Sequence, residues 1–168
     1  MNQRTLMLLR HGKSSWKSDA ACDFDRPLGR RGLRDGERFG ADLCARLPRP
    51  GLVLCSSARR TRDTLAFLIP SLVDPQRVKI EDGLYLAGAE ALLARLREVP
   101  ESITSILLIG HNPGLTDLVG LLSDDADRAL DNLPTLAVAE FALAMPFGEL
   151  KAGGARLEHA FGPRGPLL

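Results

Sequence analysis

Blocks of apolar and polar positions alternate along the chain in two periods, and they predict strands and helices in turn. Thr5 to Leu9 is a short apolar run, as expected of a strand buried on both faces. From Pro27 to Leu47, the positions Leu33, Gly36, Phe39, Gly40, Leu43 and Leu47 recur at three- and four-residue steps, which predicts a helix. Gly51 to Cys55 reads as a second buried strand. A helix follows from about Ala58 to Ile69, where Pro70 helps to end it. Arg77 to Ile80 is a shorter third strand, and Ala89 to Glu98 a helix carrying Leu92, Leu93 and Leu96. Ile103 to Ile109 is the clearest strand. It runs into Gly110-His111-Asn112-Pro113, with Asn112 expected as N-cap, Pro113 in the first helical position, and a helix to about Leu122. Ser123 to Pro134 is polar and aspartate-rich and reads as a surface loop. Two last strands, Ala137 to Leu143 and Arg156 to Phe161, are joined through a turn at Gly153-Gly154, and Gly162 to Leu168 reads as an irregular tail.

Strand-helix alternation predicts an α/β fold: a three-layer sandwich with a mostly parallel central sheet and helices on both faces. A chain of 168 residues suits one domain, 1–168, with a substantial core, and neither a repeat nor a linker divides it. The formal net charge is only +1, from 22 Lys and Arg against 21 Asp and Glu, which argues against a general nucleic-acid binder. It leaves room for a small cationic pocket, which needs only two or three placed arginines. Cys22, Cys44 and Cys55 form no C-x-x-C pair, so they read as reduced thiols, Cys44 and Cys55 as small core residues. The apolar run Leu6 to Leu9 is far too short for a signal peptide, and nothing approaches a membrane span. These features point to a cytoplasmic protein with no membrane or nucleic-acid partner. Oligomeric state stays open, because no heptad or apolar stripe stands out.

In open sheets of this kind, ligands bind at the carboxyl ends of the strands. Three predicted ends carry unusual polar residues: Arg10-His11-Gly12, then Ser56-Ser57 with Arg59 and Arg60 in the next helical turn, and Gly110-His111. The fold rule brings His11 and His111, a hundred residues apart, to one edge of the sheet. Arginine offers a charged planar fork suited to phosphate oxygens, and two helix N-termini beside this edge add backbone N–H groups. A neutral His11 imidazole is then a candidate nucleophile toward phosphorus, with Arg10, Arg60 and His111 stabilising the equatorial oxygens. Ser14, Ser56, Gly110 and Asn112 are candidate substrate-binding neighbours. The bland alternative makes Arg59, Arg60 and Arg62 a solvated helix face and each histidine a structural residue. His159 alternates with Leu157 and Phe161 and is expected to face the core or its edge. No G-x-G-x-x-G, P-loop or H-E-x-x-H occurs, so nucleotide binding and metal hydrolysis have no support.

At these residues the sequence resembles the histidine phosphatase superfamily (phosphoglycerate mutase-like), and within it the SixA-type phosphohistidine phosphatases. The resemblance runs through Leu9-Arg10-His11-Gly12-Lys13-Ser14-Ser15-Trp16, Asp25-Arg26-Pro27-Leu28-Gly29-Arg30-Arg31-Gly32, Ser56 to Thr64, and Gly110-His111-Asn112-Pro113-Gly114-Leu115. It implies a phosphatase with His11 as phosphate acceptor, Arg10, Arg60 and His111 around the phosphoryl group, and neither metal nor organic cofactor. Two departures stand out: Asp63-Thr64 where the wider family often has Gln-Thr, and Ser57 where proline is common. Many members that cleave phosphate esters use a carboxylic acid to protonate the leaving oxygen. Glu81, Asp82 and Glu90 lie in the relevant stretch as candidates, without a matching pattern. Little sequence remains for a lid, so a shallow, open pocket is expected. Both features favour a phosphohistidine-bearing protein as substrate. The rivals are a small-molecule phosphomonoesterase, with one of those carboxylates as its acid, and a non-catalytic phosphate-binding or sensing domain.

Overall fold

The computed structural model describes residues 3–125 and 130–168 of the chain. Its elements follow in the order β1 (Arg4–Arg10), α1 (Arg30–Arg46), β2 (Leu52–Ser56), α2 (Arg59–Ala66), β3 (Val78–Glu81), α3 (Ala89–Arg97), β4 (Ser105–Gly110), α4 (Gly114–Leu122), β5 (Val138–Leu143), β6 (Arg156–Gly162) and β7 (Gly165–Pro166). They build one seven-stranded sheet in the order β3-β2-β4-β1-β5-β6-β7. The half from β3 to β1 is parallel, whereas β5, β6 and β7 pair antiparallel, so the sheet is mixed. The antiparallel half forms because β5 and β6 are joined without a crossover helix, which parallel strands would need.

Both faces are covered, which is why the central strands are apolar at every position rather than at alternate ones. Leu6, Leu8, Leu54, Ile106 and Leu108 pack toward α3 and α4, with Leu92, Leu96, Leu115 and Leu118. Met7, Leu9, Val53, Cys55, Leu107 and Ile109 pack on the other face, toward α1 and α2, with Phe39, Leu43 and Leu65. Crossing from β1 to β2 skips over β4, so β1 and β4 lie side by side in the middle of the sheet. Their register pairs Arg10 with Gly110, so each strand's next residue is a histidine, His11 and His111.

Several expectations from the sequence need correction. The helix expected from Pro27 begins at Arg30: Leu28 is held in an isolated bridge to Ser14, and Gly29 is extended. Its inward face carries Gly32 and Gly36 rather than Leu33, which is 45 % exposed. Gly32 is required there, since a Cβ would sit 2.2 Å from the Lys13 carbonyl oxygen. The second helix is regular only to Ala66. The 123–134 segment is more than a surface loop, because Leu133 within it is fully buried; residues 126–129 lie outside the described residues. The expected irregular tail folds back as β7 on β6. His159 is exposed rather than core-facing. A bulge opposite Glu140/Phe141 breaks the alternation, so Leu157 packs on the α3–α4 face and Phe161 on the α1–α2 face.

Candidate functional site

The carboxyl ends of β1, β2 and β4 converge on one pocket of about 270 Å³, lined among others by Arg10, His11, Ser14, Arg60, His111 and Asn112. Its floor is buried: His11 is 8 % exposed, and Arg60 and His111 are each 3 % exposed. The two imidazole rings lie 5.1 Å apart. The His11 backbone N–H reaches Gly110 O at 3.2 Å, which extends the strand pairing to the histidine itself. His11 Nδ1 is 2.7 Å from the Gly12 carbonyl. A carbonyl can only accept, so Nδ1 carries the proton and Nε2 keeps its lone pair. Arg60 Nε–H donates to that Nε2 at 3.3 Å.

Each neighbour has an identifiable support. The Gly12 N–H donates to Thr64 Oγ1 at 3.0 Å, and the Thr64 hydroxyl donates to Arg60 O at 2.7 Å. The Leu28 N–H donates to Asp63 at 3.2 Å. The Asp63-Thr64 pair that departs from the family pattern therefore ties α2 to the loop after β1. Ser56 Oγ lies 2.8 Å from His111 Nε2 and already accepts from the Ala58 N–H at 3.4 Å. The Ser56 hydroxyl can donate to Nε2, an arrangement that puts the His111 proton on Nδ1. That Nδ1 is buried without a protein partner. Arg10 Nη1 donates to Leu133 O at 2.8 Å, and Asn112 Nδ2 donates to the same carbonyl at 3.0 Å. Asn112 caps no helix; α4 begins at Gly114 behind Pro113, and the Asn112 amide instead donates to the Asn132 side chain and the Leu133 carbonyl. Leu136, in the left-handed region at φ 61, donates its N–H to Arg10 O and His11 O.

Of the arginines on α2, Arg60 alone is buried, while Arg59 and Arg62 face solvent. The solvated-face reading is therefore right for two of the three. Arg60 Nη1 donates to Asp23 O at 2.7 Å, and Nη2 pairs with Asp23 Oδ2 at 3.0 Å. Asp23 also receives the Tyr85 hydroxyl at 2.7 Å and Arg26 Nη1 at 2.6 Å. The Tyr85 bond first, then Arg26 and Arg60, hold the Asp23 carboxyl down at about 2. Arg26 in turn donates to Ser14 Oγ at 2.7 Å and stacks 3.5 Å over the ring of Trp16. Asp23 and Tyr85 were not singled out in the sequence. The Asp25–Gly32 block entered only through the family resemblance, with no role expected for Arg26 in it.

The three candidate acids lie elsewhere. Glu81 is held by Arg95 in a two-pronged ion pair, with both contacts at 2.7 Å. Asp82 and Glu90 are exposed, and none of the three lines the pocket. Trp16 and Leu86, 77 % and 53 % exposed, stand at the rim, so the mouth is open as expected. Among the described residues, no group of three His, Cys, Asp or Glu side chains is arranged to hold a metal ion. Nor is any helix of those residues long and apolar enough to cross a membrane.

Both imidazoles are held neutral. Burial is the main cause, and it brings His11 down to about 4, helped by Arg60, Arg10 and Arg26 against the opposing Gly12 bond. Burial, then His11 and Arg60, brings His111 to about 3. An unfolded histidine titrates near 6.5, so the unfolded chain binds protons between about pH 6.5 and 4 that the native state does not. Stability is therefore expected to fall as pH drops through that window, on the order of 3 kcal/mol for His11 alone. Denaturant midpoints at about pH 7 and about pH 4.5 check this, with His11→Asn flattening the difference; a midpoint unchanged across the window contradicts it.

This architecture and this cluster of two neutral imidazoles and two guanidinium groups at the switch point of the sheet define an α/β phosphatase of the phosphoglycerate mutase-like type. The family model of the histidine phosphatase superfamily (branch 1) matches residues 6–85. A candidate phosphohistidine phosphatase SixA from Nakamurella multipartitia superposes with a TM-score of 0.82 at 27% identity, over 100% of this chain and 99% of that one. A second, from Agrobacterium tumefaciens, gives 0.79 at 27% identity over 95% and 98%. An uncharacterised protein of Mycobacterium tuberculosis is 32% identical over 163 residues, which span 93% of this chain and 100% of that one. The chain belongs to the histidine phosphatase superfamily, on its SixA-type side.

Proposed function

We propose that this phosphatase carries the phosphoryl group on His11 Nε2 and that its substrate is a phosphohistidine on a protein. The observation that carries the substrate class is the state of the one carboxylate among the described residues lining the pocket. Asp23 is bound by Arg60, Arg26 and Tyr85 and stays ionised at neutral pH, so it has no proton to give. An alkoxide leaving group needs a proton from such an acid, whereas a nitrogen-protonated phosphohistidine departs as neutral imidazole.

In the first step His11 Nε2 attacks phosphorus as the substrate's N–P bond breaks. Arg10, Arg60 and the His111 Nδ1–H hold the equatorial oxygens, with Ser14 and Asn112 at the pocket wall and Ser56 and Gly110 supporting the two imidazoles. The phosphorylated ring keeps its Nδ1 proton on the Gly12 carbonyl, so it too leaves as neutral imidazole when water adds to phosphorus. Water's oxygen and both its protons depart with the phosphate, and the ring returns unchanged. We extend this reading to one catalytic domain over 1–168 and to the cytoplasm, which agrees with three free cysteines.

Initial rates on a phosphohistidine peptide, p-nitrophenyl phosphate and glycerol phosphate test this. Glycerol phosphate is expected to be at least about 100-fold slower than the peptide, because the missing acid is worth that much. Equal rates on the two would overturn the substrate assignment and favour the phosphomonoesterase. A folded protein that releases phosphate from none of them would favour the sensor.

A further inference from the structure

Beside the pocket runs a wider groove of about 790 Å³ that shares Arg10, Lys13 and Thr135 with it. Its charge is one-sided. Arg10, Lys13, Arg31, Arg34 and Arg164 line it, against Asp35 as the single carboxylate among the described residues. This excess lies in a chain whose formal net charge is only +1. Asp35 is shared between Arg31 at 3.3 Å and Arg34 at 3.8 Å, and neither Lys13 nor Arg164 has an ion-pair partner among the described residues. Lys13, Arg31, Arg34 and Arg164 are all exposed.

The fold does not explain these cations. Arg31 lies in the first turn of α1, a turn without an acidic residue, and Arg34 lies in the next. The positive end of the helix dipole disfavours cations there, so they sit where helix stability would place the opposite charge.

We propose that this groove docks the protein substrate by a carboxylate-rich surface flanking its phosphohistidine; the proposal rests on the phosphohistidine reading above. A small polyanion would call for buried donors converging on one point. The groove instead spreads flexible, exposed cations from the first turns of α1 to the β6–β7 hairpin, which matches the scale of a protein surface. The pocket itself is lined by exposed Trp16, stacked by Arg26, and by exposed Leu86, and an aromatic anchor of this kind is what protein interfaces use.

The test uses three synthetic peptides, each with one phosphohistidine, flanked by glutamates, by alanines or by lysines. Wild type is expected to favour the glutamate-flanked over the lysine-flanked peptide by at least about 10-fold in kcat/KM at low salt, and much less at about 0.5 M salt. The double reversal Arg34→Glu/Arg164→Glu leaves three cations against three carboxylates and should erase the order, while p-nitrophenyl phosphate, which has no flanking residues to place beside Arg34 or Arg164, stays within about 2-fold. The milder Arg34→Gln/Arg164→Gln keeps three cations against one carboxylate and should reduce the preference without erasing it. Equal rates on the three peptides, a preference that survives reversal, or a parallel loss on p-nitrophenyl phosphate each overturn the proposal. So does tripolyphosphate inhibition that depends on Arg34 and Arg164, since the groove then serves a small polyanion. Cleavage of p-nitrophenyl phosphate but of no peptide removes the phosphohistidine reading itself, and this docking with it; equal cleavage of all three peptides leaves that reading standing.

Discussion

His11→Ala is expected to lower kcat for p-nitrophenyl phosphate by at least about 10⁴-fold, because a covalent route without its nucleophile is closed rather than slowed. The remaining pocket would still bind phosphate. Arg10, Arg60 and His111 are held by Leu133, Asp23 and Ser56 respectively, and none of those contacts passes through His11. Phosphate should therefore still protect the variant against thermal unfolding while turnover is gone. This separates a lost nucleophile from a collapsed site. After brief mixing with substrate and denaturing quench, wild type should carry an acid-labile, alkali-stable phosphoryl group on the peptide containing His11. Turnover by a folded His11→Ala within about 10-fold of wild type would contradict the covalent route.

Arg60→Ala has the second-largest expected effect, a loss of about 10²- to 10⁴-fold in kcat/KM. One donor to a developing negative charge is worth the lower part of that range, and Arg60 does more than donate. Its Nε–H lies on His11 Nε2, while its Nη groups hold Asp23 by backbone carbonyl and carboxylate. Removing it leaves Asp23 with Arg26 and Tyr85 alone and takes one of two compensating cations from a carboxylate beside an anionic substrate. Arg60→Lys should recover little, because a point charge cannot span His11 and Asp23 together. The split between constants is diagnostic: a donor acting chiefly in the transition state costs kcat, and loss of ground-state binding raises KM. Arg60→Ala within about 10-fold of wild type in kcat/KM would remove Arg60 from the site.

Much of this was legible before any coordinates. The period of the apolar positions identified four helices and six of the seven strands, because burial on one or two faces writes itself directly into which residues are apolar. Arg10, His11, Arg60 and His111 were legible for a related reason. Polar residues that break off an apolar strand run mark the carboxyl end of that strand, and in a sheet of this type such ends meet.

What the sequence left unread depends on contacts between distant segments. No local pattern says that Gly32 rather than Leu33 faces inward. The Lys13 carbonyl decides it, and that group comes from the loop after another strand. A bulge in the β5–β6 pairing reverses the phase that put His159 toward the core. Asn112 has the composition of a cap, but its Nδ2 donates to Asn132 and Leu133, and its Oδ1, the atom a cap would use, has no partner among the described residues. Asp23 is the clearest case. In sequence it is one aspartate in a polar stretch, and only the tertiary structure brings Arg60 and Tyr85 to it from two distant segments, beside its near neighbour Arg26. By itself the sequence determined the layered fold and the four groups at its centre, because periodicity and residue chemistry are local properties. The tertiary structure decided which carboxylate faces the pocket, its charge state and the basic groove beside it, because each depends on distances between segments far apart in the chain.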